Sequence, residues 1–117
     1  MSVQGFNSGP LTYLAGVLIG DGLLATLTGT AGTVGLCGAA GVPVGIADGS
    51  IASGAYGCFR PLRGRVRVYG TIAAGNFCKA GINGTVVVEA GATTRTANTI
   101  GQAETAATAG FFWMVCL

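Results

Sequence analysis

The feature that most constrains the fold of this chain is an internal repeat. Residues 44–48 (VGIAD) and residues 100–104 (IGQAE) share the pattern apolar, Gly, any residue, Ala, acid, at an offset of 56. The match continues at that offset between residues 53–56 and residues 109–112, where each copy enters an apolar strand with aromatic side chains. Several ordered matches at one offset are not expected by chance, so the chain holds two copies of one structural unit.

The first halves of the two copies match around a turn. Gly20-Asp21 corresponds to Gly75-Asn76 at an offset of 55. Such pairs favour turns because Gly accepts a positive φ and Asp or Asn bonds its own backbone. The copies span about 14–62 and 68–117. We expect one copy to be too small to close a core alone, and two copies related by a pseudo-twofold axis to close one small barrel or sandwich.

Short apolar runs between glycine-rich turns predict an all-β chain, since the 22 glycines separate runs of strand-forming residues. The best hairpin signal is Asn83-Gly84, which lies between two predicted strands. Helix is signalled only weakly, at residues 101–110, where we expect at most a single turn. The predicted strands are residues 11–15, 23–27, 33–37, 44–47, 56–62, 65–71, 77–80, 85–89, 99–103 and 111–117.

The N-terminal stretch, residues 1–10, lacks a strand pattern and is interpreted as an extended arm ahead of a single β domain at residues 11–117. It contains two glycines, one proline and one aromatic residue, Phe6. Two interpretations stay open. The stretch is either a disordered end or an arm that docks on a neighbouring molecule with Phe6 as its anchor.

The low charge of the chain indicates a protein that covers part of its outer surface in an assembly. Half of the residues are hydrophobic and 9% are charged, whereas a soluble monomeric domain carries about 25% charged residues. Large exposed apolar patches mark interaction surfaces. The apolar run 11–27 is short and contains Asp21 and three glycines, so we do not expect a membrane span. We expect no secretory signal, and a net charge of +2 does not argue for nucleic acid.

Catalytic and metal-binding patterns are missing from the sequence. The absence of histidine excludes Ser-His-Asp and Cys-His arrangements. Asp48 and Glu104 are equivalent in the repeat, and we expect them at the same turn of two copies rather than as a paired-carboxylate site. No two cysteines form a C-x-x-C pair, so four buried reduced thiols are expected at Cys37, Cys58, Cys78 and Cys116. We therefore predict no enzymatic activity, no metal and no cofactor.

One charged feature stands out. Four of the six basic residues are Arg60, Arg63, Arg65 and Arg67, and strand alternation places Arg65, Arg67 and Tyr69 on one face of the strand 65–71. The opposite face is apolar. This basic stripe either meets an acidic patch on a partner through bidentate pairing or is a solvated strand face that opposes aggregation. Nucleic-acid binding is the weaker alternative.

The ordered motifs of the two copies resemble the small decoration (cement) proteins of tailed bacteriophage heads. The resemblance covers residues 11–117, and each motif carries little information by itself, so the order of the motifs carries the likeness. The residues concerned are Gly20-Asp21, 42–47 (VPVGIA), Gly54 and 63–66 (RGRV), with second-copy counterparts Gly75-Asn76, 100–103 (IGQA) and Gly110.

The resemblance implies a compact β domain, commonly a homotrimer, without an active site. Such proteins sit on the outer capsid surface, bridge neighbouring capsid subunits at local threefold positions and often grip with an N-terminal arm. It therefore implies a virion protein assembled in the host cytoplasm, with the major capsid protein and its own copies as partners, and with no nucleic acid, membrane or small-molecule partner. The interface residues we predict are Phe6, Arg60, Arg63, Arg65, Arg67 and Tyr69.

A second class of function is a small barrel that binds a ligand or receptor, as in a tail tip or fibre. It requires an exposed aromatic cluster. The aromatic residues available for one are Tyr56, Phe111, Phe112 and Trp113. Because these residues lie in predicted strands, we expect most of them in the core or in an interface.

Overall fold

A computed structural model describes residues 11–117, so the predicted arm at residues 1–10, Phe6 included, lies outside the described residues. Strand makes up most of the regular structure, as predicted. One 3-10 turn, Ile82–Gly84, joins two of the strands. The strands are β1 Leu11–Ala15, β2 Leu24–Leu27, β3 Thr33–Leu36, β4 Gly45–Ala47, β5 Tyr56–Arg60, β6 Arg65–Ile72, β7 Phe77–Ala80, β8 Val86–Val88, β9 Thr99–Ala103 and β10 Ala107–Cys116.

The ten strands form two closed five-stranded barrels. The first barrel closes in the order β1-β3-β2-β4-β5 and the second in the order β10-β6-β8-β7-β9. Each has one parallel pair, β1–β3 or β6–β8, and otherwise antiparallel pairs. The two barrels have the same strand order, since adding five to each strand number of the first barrel gives the order of the second. The all-β, two-repeat fold is therefore confirmed, but each copy closes its own barrel, whereas we expected the two copies to share one.

A single copy closes because the small residues in its strands let five short strands approach one another. Ala15, Ala25 and Ala47 are fully or almost fully buried in the first barrel, together with one large ring, Phe59. In the second barrel the strands approach still more closely. A Cβ on Gly70 would overlap the backbone of Val86, its partner across the parallel β6–β8 pair. A barrel of this size is filled by few side chains.

Backbone hydrogen bonds show which residues of the two copies are equivalent. The Gly22 N–H donates to Ala47 O at 3.0 Å, and the Gly75 N–H donates to Ala103 O at 2.8 Å. Both glycines have a positive φ, +79° and +86°. Gly75 is therefore the counterpart of Gly22, and the alignment with Gly20 was wrong by two residues because both candidates are glycines beside an Asx.

The acidic positions at the ends of β4 and β9 are equivalent, as the repeat predicted. The Asp48 N–H donates to Cys58 O at 3.0 Å, and the Glu104 N–H donates to Trp113 O at 2.8 Å. Cys58 and Trp113 are thus counterparts at an offset of 55, not 56. The last strand is shifted by one residue, which makes Ala109 rather than Gly110 the counterpart of Gly54.

The two barrels share a packed junction. The interior of the first barrel forms one cluster of buried residues around Phe59. The second cluster, around Phe112 and Met114, extends out of the second barrel to include Leu24, Cys37 and Ile46 of the first. Leu24 and Ile46 are paired across β2–β4 and are at most 1% exposed. We call Leu24, Cys37 and Ile46 the junction face.

The barrels meet through non-equivalent faces. The second barrel contributes the end of β7 and the 3-10 turn: the Ala40 N–H donates to Ala80 O at 2.9 Å, and the Gly84 N–H donates to Cys37 O at 2.8 Å. The counterparts of the junction face on the second barrel are Phe77, Glu89 and Gln102. They do not belong to this cluster, and Gln102 is exposed. The pseudo-twofold axis that we expected is therefore not the relation between the copies.

No helix within residues 11–117 has both the length and the apolar character that crossing a membrane requires.

Candidate interaction surface

The outer face of β6 carries the predicted arginines. Burial alternates along this strand, with Val66 and Val68 inside and Arg65 and Arg67 outside, while Tyr69 is half-buried on the outer side. The alternation predicted from the sequence is therefore correct. Adjacent side chains of a strand point to opposite faces of the sheet. The outward side chains of the neighbouring strand are therefore the ones that these arginines contact.

The neighbouring strand, β10, places aromatic rings beside the arginines. Arg67 is directly opposite Trp113, and Tyr69 is opposite Phe111. Phe112 and Met114 alternate with these rings and are buried. Of the four aromatic residues expected in the core or an interface, Phe112 lies in the core, whereas Tyr56 is 74% and Phe111 45% exposed. The arginine–aromatic surface consists of Arg65, Arg67, Tyr69, Phe111, Trp113 and Val115.

Stacking orders this surface. The guanidinium carbon of Arg65 lies 4.0 Å from the centroid of the Trp113 ring, and that of Arg67 lies 4.4 Å from the centroid of Phe111. Tyr69 and Phe111 meet edge to face with 5.4 Å between ring centroids. A cation–π contact contributes about 0.5–1 kcal/mol at an exposed site, so the rings and guanidinium groups hold each other in place.

Carboxylates from the same chain neutralise most of the arginine charge. Arg65 pairs with Glu104, Arg67 with Asp21 at 2.8 Å, and Arg60 with Asp48 at 3.5 Å. Among residues 11–117, Arg63 is the one of the four clustered arginines without such a pair. The face is therefore close to neutral, whereas the sequence alone predicted a basic stripe.

Asp21 connects this surface to the first barrel. Its Oδ2 accepts the bond from Arg67 of the second barrel, and its Oδ1 accepts the Gly49 N–H at 2.9 Å. The ring of Phe111 lies against Gly22, the residue that follows Asp21. A Cβ atom added at Gly22 would be only 2.7 Å from a carbon of this ring. The arginine–aromatic surface is thus built on the second barrel and fixed by the first.

A small cleft lies beside this link. Its lining residues are Asp21, Ile46, Ala47, Asp48, Arg60 and Arg67, and it holds about 220 Å³, including space open to solvent. Its enclosed part has room for about one water molecule. Both carboxylates of the cleft are paired with arginines, and Glu104 binds Arg65 instead of lining it. Asp48 and Glu104 therefore do not form one site, as expected from their equivalent turns.

The cysteines do not share one environment. Cys37 and Cys78 are buried, Cys116 is half-buried and Cys58 is exposed, and all four are free thiols. The expectation of four buried thiols is correct for Cys37 and Cys78. It is wrong at Cys58, which lies on the outer side of β5 at the position of Trp113 in the other copy, and at Cys116, which is only half-buried. Burial raises the pKa of the Cys37 and Cys116 thiols and raises that of Cys78 to about 12. No cluster of three or more metal-ligating side chains occurs within residues 11–117.

One buried carboxylate was not singled out from the sequence. Glu89 is 3% exposed, and its Oε2 accepts hydrogen bonds from the Thr99 hydroxyl at 2.7 Å and the Thr96 hydroxyl at 2.9 Å. These bonds, with that from Thr99 the largest, lower the pKa of Glu89 although its burial acts in the opposite direction. Glu89 therefore ties the loop before β9 to the barrel.

Fold and surface together define a tandem-barrel protein with an arginine–aromatic outer face. No protein-family model matches the sequence, and no curated protein matches it. Among solved structures, the chain is similar to the N-terminal base of the head fiber protein gp8.5 of bacteriophage phi29, with a TM-score of 0.77 and 17% sequence identity. The match covers 92% of this chain and 92% of that one. At this identity, the similarity establishes a shared fold.

Proposed function

We propose that this chain is a structural protein of a bacteriophage virion that binds the outer surface of the head. The observation that carries the proposal is the fold, which matches the base of a phage head fiber over 92% of both chains. The low charged fraction of 9% supports a protein that covers part of its surface in an assembly. The ordered arginine–aromatic surface supports the same conclusion.

Within this role we propose decoration of the capsid. In this version, homotrimers bridge neighbouring subunits of the major capsid protein and stabilise the shell. A multivalent attachment of this kind needs only modest individual contacts, because linked sites raise the effective concentration. No catalysis is part of the proposal. The sequence has no histidine, three of its four carboxylates pair with arginines, and the fourth, Glu89, accepts bonds from two threonines.

A second candidate is a base module that attaches a fibre to the head. The similarity to a head fiber base favours this alternative. The two functions differ in a measurable way. A bridging protein stabilises the empty or filled shell by itself, whereas a fibre base occupies the shell without stabilising it and holds a further protein.

The test begins with the protein composition of particles purified from the virus that carries this sequence. We expect the chain in a fixed ratio to the major capsid protein; its absence from the particles would refute the proposal. Heads prepared without the chain are then heated with and without added protein. A higher disruption temperature after addition supports decoration, whereas stoichiometric binding without any shift supports the fibre base.

A further inference from the structure

We propose that the arginine–aromatic surface is the face that docks on the head, and that it recognises a weakly charged protein surface of aliphatic side chains and backbone carbonyls rather than an acidic patch. This inference rests on the function proposed above. It goes beyond that function by assigning the contact to one face of the second barrel and by specifying the chemistry of the partner.

The composition of this face is that of a binding hot spot. Trp, Tyr and Arg are the residues enriched where alanine substitution weakens protein complexes most, and the single tryptophan of the chain is here. Phe111 and Val115 remain 45% and 40% exposed beside it. An isolated chain gains nothing from leaving such apolar area in water, whereas a docked chain covers it.

The fold does not require these side chains. The counterparts on the first barrel, across β1–β5, are Thr12 and Leu14 on one strand and Tyr56 and Cys58 on the other. Arg60 lies on the outer side of β5 at the position of Val115, where it pairs with Asp48. The first barrel closes with the same strand order although threonine, leucine and cysteine stand in place of Arg67, Tyr69 and Trp113. Since barrel closure makes no demand for an arginine–aromatic face, a role outside the barrel accounts for it.

The charges decide the chemistry of the partner. Arg65 and Arg67 already bind Glu104 and Asp21, so an acidic partner would have to displace a carboxylate that is held in place. A guanidinium group has five N–H donors, and the donors that the carboxylate leaves unused suit carbonyl oxygens. A near-neutral face is best matched by a near-neutral partner, because burying unpaired charge is costly.

The surface is also ordered before it binds. Each arginine is held between a ring and a carboxylate, and Phe111 is seated on Gly22 of the first barrel. Immobilising a flexible side chain costs about 0.5–1.5 kcal/mol on association. These side chains are already immobilised in the folded chain, so association loses little further conformational entropy. A modest contact area is therefore sufficient for binding.

The experiment measures binding of the labelled full chain to heads prepared without it. Trp113→Ala and Val115→Glu alter the centre and the edge of the surface, and the matched control Tyr56→Ala removes the exposed ring at the counterpart position of Phe111. We expect binding to weaken roughly tenfold or more in both surface variants and by less than about twofold in the control. Urea unfolding checks that each variant is folded. Val115→Glu keeps the test decisive if Trp113→Ala does not fold.

The ionic strength separates the two partner chemistries. With a weakly charged partner, affinity changes less than about threefold between roughly 0.05 and 0.5 M NaCl, and Arg63→Ala binds like the unmodified chain. A steep loss of affinity with salt, together with weak binding of Arg63→Ala, would overturn the assignment of a neutral partner.

The remaining outcomes separate this inference from the function on which it rests. If the unmodified chain does not bind heads, the proposed function fails. If it binds and both surface variants bind equally well, the function stands and the docking face is elsewhere. A third result, in which Val115→Glu abolishes self-association in sedimentation but leaves head binding unchanged, would assign this face to a second copy and refute the inference.

Discussion

The two barrels have the same strand order but use their outer faces differently. The first barrel turns Leu24 and Ile46 outward and buries them against the second barrel. The second barrel has Phe77 and Gln102 at the equivalent positions, and its arginine–aromatic surface contacts the first barrel at Asp21 and Gly22. The comparison separates what the fold needs from what each copy adds. The strand order and the backbone contacts are shared, whereas the outward side chains specialise one barrel for the junction and, on our proposal, the other for binding.

The largest expected effect comes from the position where the interiors differ. Gly70 of the second barrel corresponds to Ala15 of the first, and a Cβ at Gly70 would overlap the Val86 backbone. We expect Gly70→Ala to lower the free energy of unfolding by about 3 kcal/mol or more, measured by urea unfolding. Gly29→Ala, with open space around the added methyl, is the control. A Gly70→Ala protein as stable as the control would show that the tight β6–β8 approach is not required.

A reciprocal exchange tests whether the outer faces are truly different. Ile46→Gln places an amide in the apolar junction, and we expect a loss of about 2–4 kcal/mol in unfolding free energy. Gln102→Ile, at the counterpart position, removes one bond from the side-chain amide to Gly75 O at an exposed site. We expect it to change the unfolding free energy by less than about 1 kcal/mol. Equal costs in chemical denaturation would mean that the two faces are equivalent after all.

The smallest expected effect concerns the position that is a thiol in the first copy, Cys37, and a carboxylate in the second, Glu89. Because the folded-state pKa of Glu89 lies below its usual 4.5, the ionised form stabilises the fold above that pH. This stabilisation is lost as the pH falls through the lowered pKa. We expect Glu89→Gln to flatten the decline in urea midpoint between about pH 5 and 2. An unchanged acid profile in the variant would assign the decline to other carboxylates.

Local sequence patterns predicted the strands well where alternation and turn residues agree. Residues 11–15, 77–80 and 99–103 are strands with the predicted bounds. The Asn83-Gly84 pair closes the β7–β8 hairpin, with a positive φ at both residues. The weak helical signal at residues 101–110 was wrong. Residues from Ala107 onward belong to β10 because they pair with β6 through an irregular register, and such pairing outweighs weak local preference.

Local sequence patterns did not predict the contacts between residues that are far apart in the chain. The repeat gave the number of copies, but separate closure depends on parallel pairs such as β1–β3 between strands that are not consecutive. The face of Arg65 and Arg67 followed from alternation. Their neutralisation did not, since Asp21 lies 46 residues from Arg67 along the chain. Trp113 gave no signal of its position either, because an aromatic residue in a strand fits a core and a surface equally well.

The non-equivalent junction between the barrels has a consequence for polymerisation. A contact between unlike faces can in principle be repeated indefinitely, since each added unit presents again the face that the previous unit used. A third barrel would have to bind Phe77 and Gln102 as the second barrel binds Leu24 and Ile46. The exposed amide of Gln102, bonded to Gly75 O at 2.9 Å, replaces the apolar side chain that such a step needs. This face of the second barrel is therefore unsuited to repeating the same junction, much as a polar capping repeat is unsuited to further stacking in a solenoid.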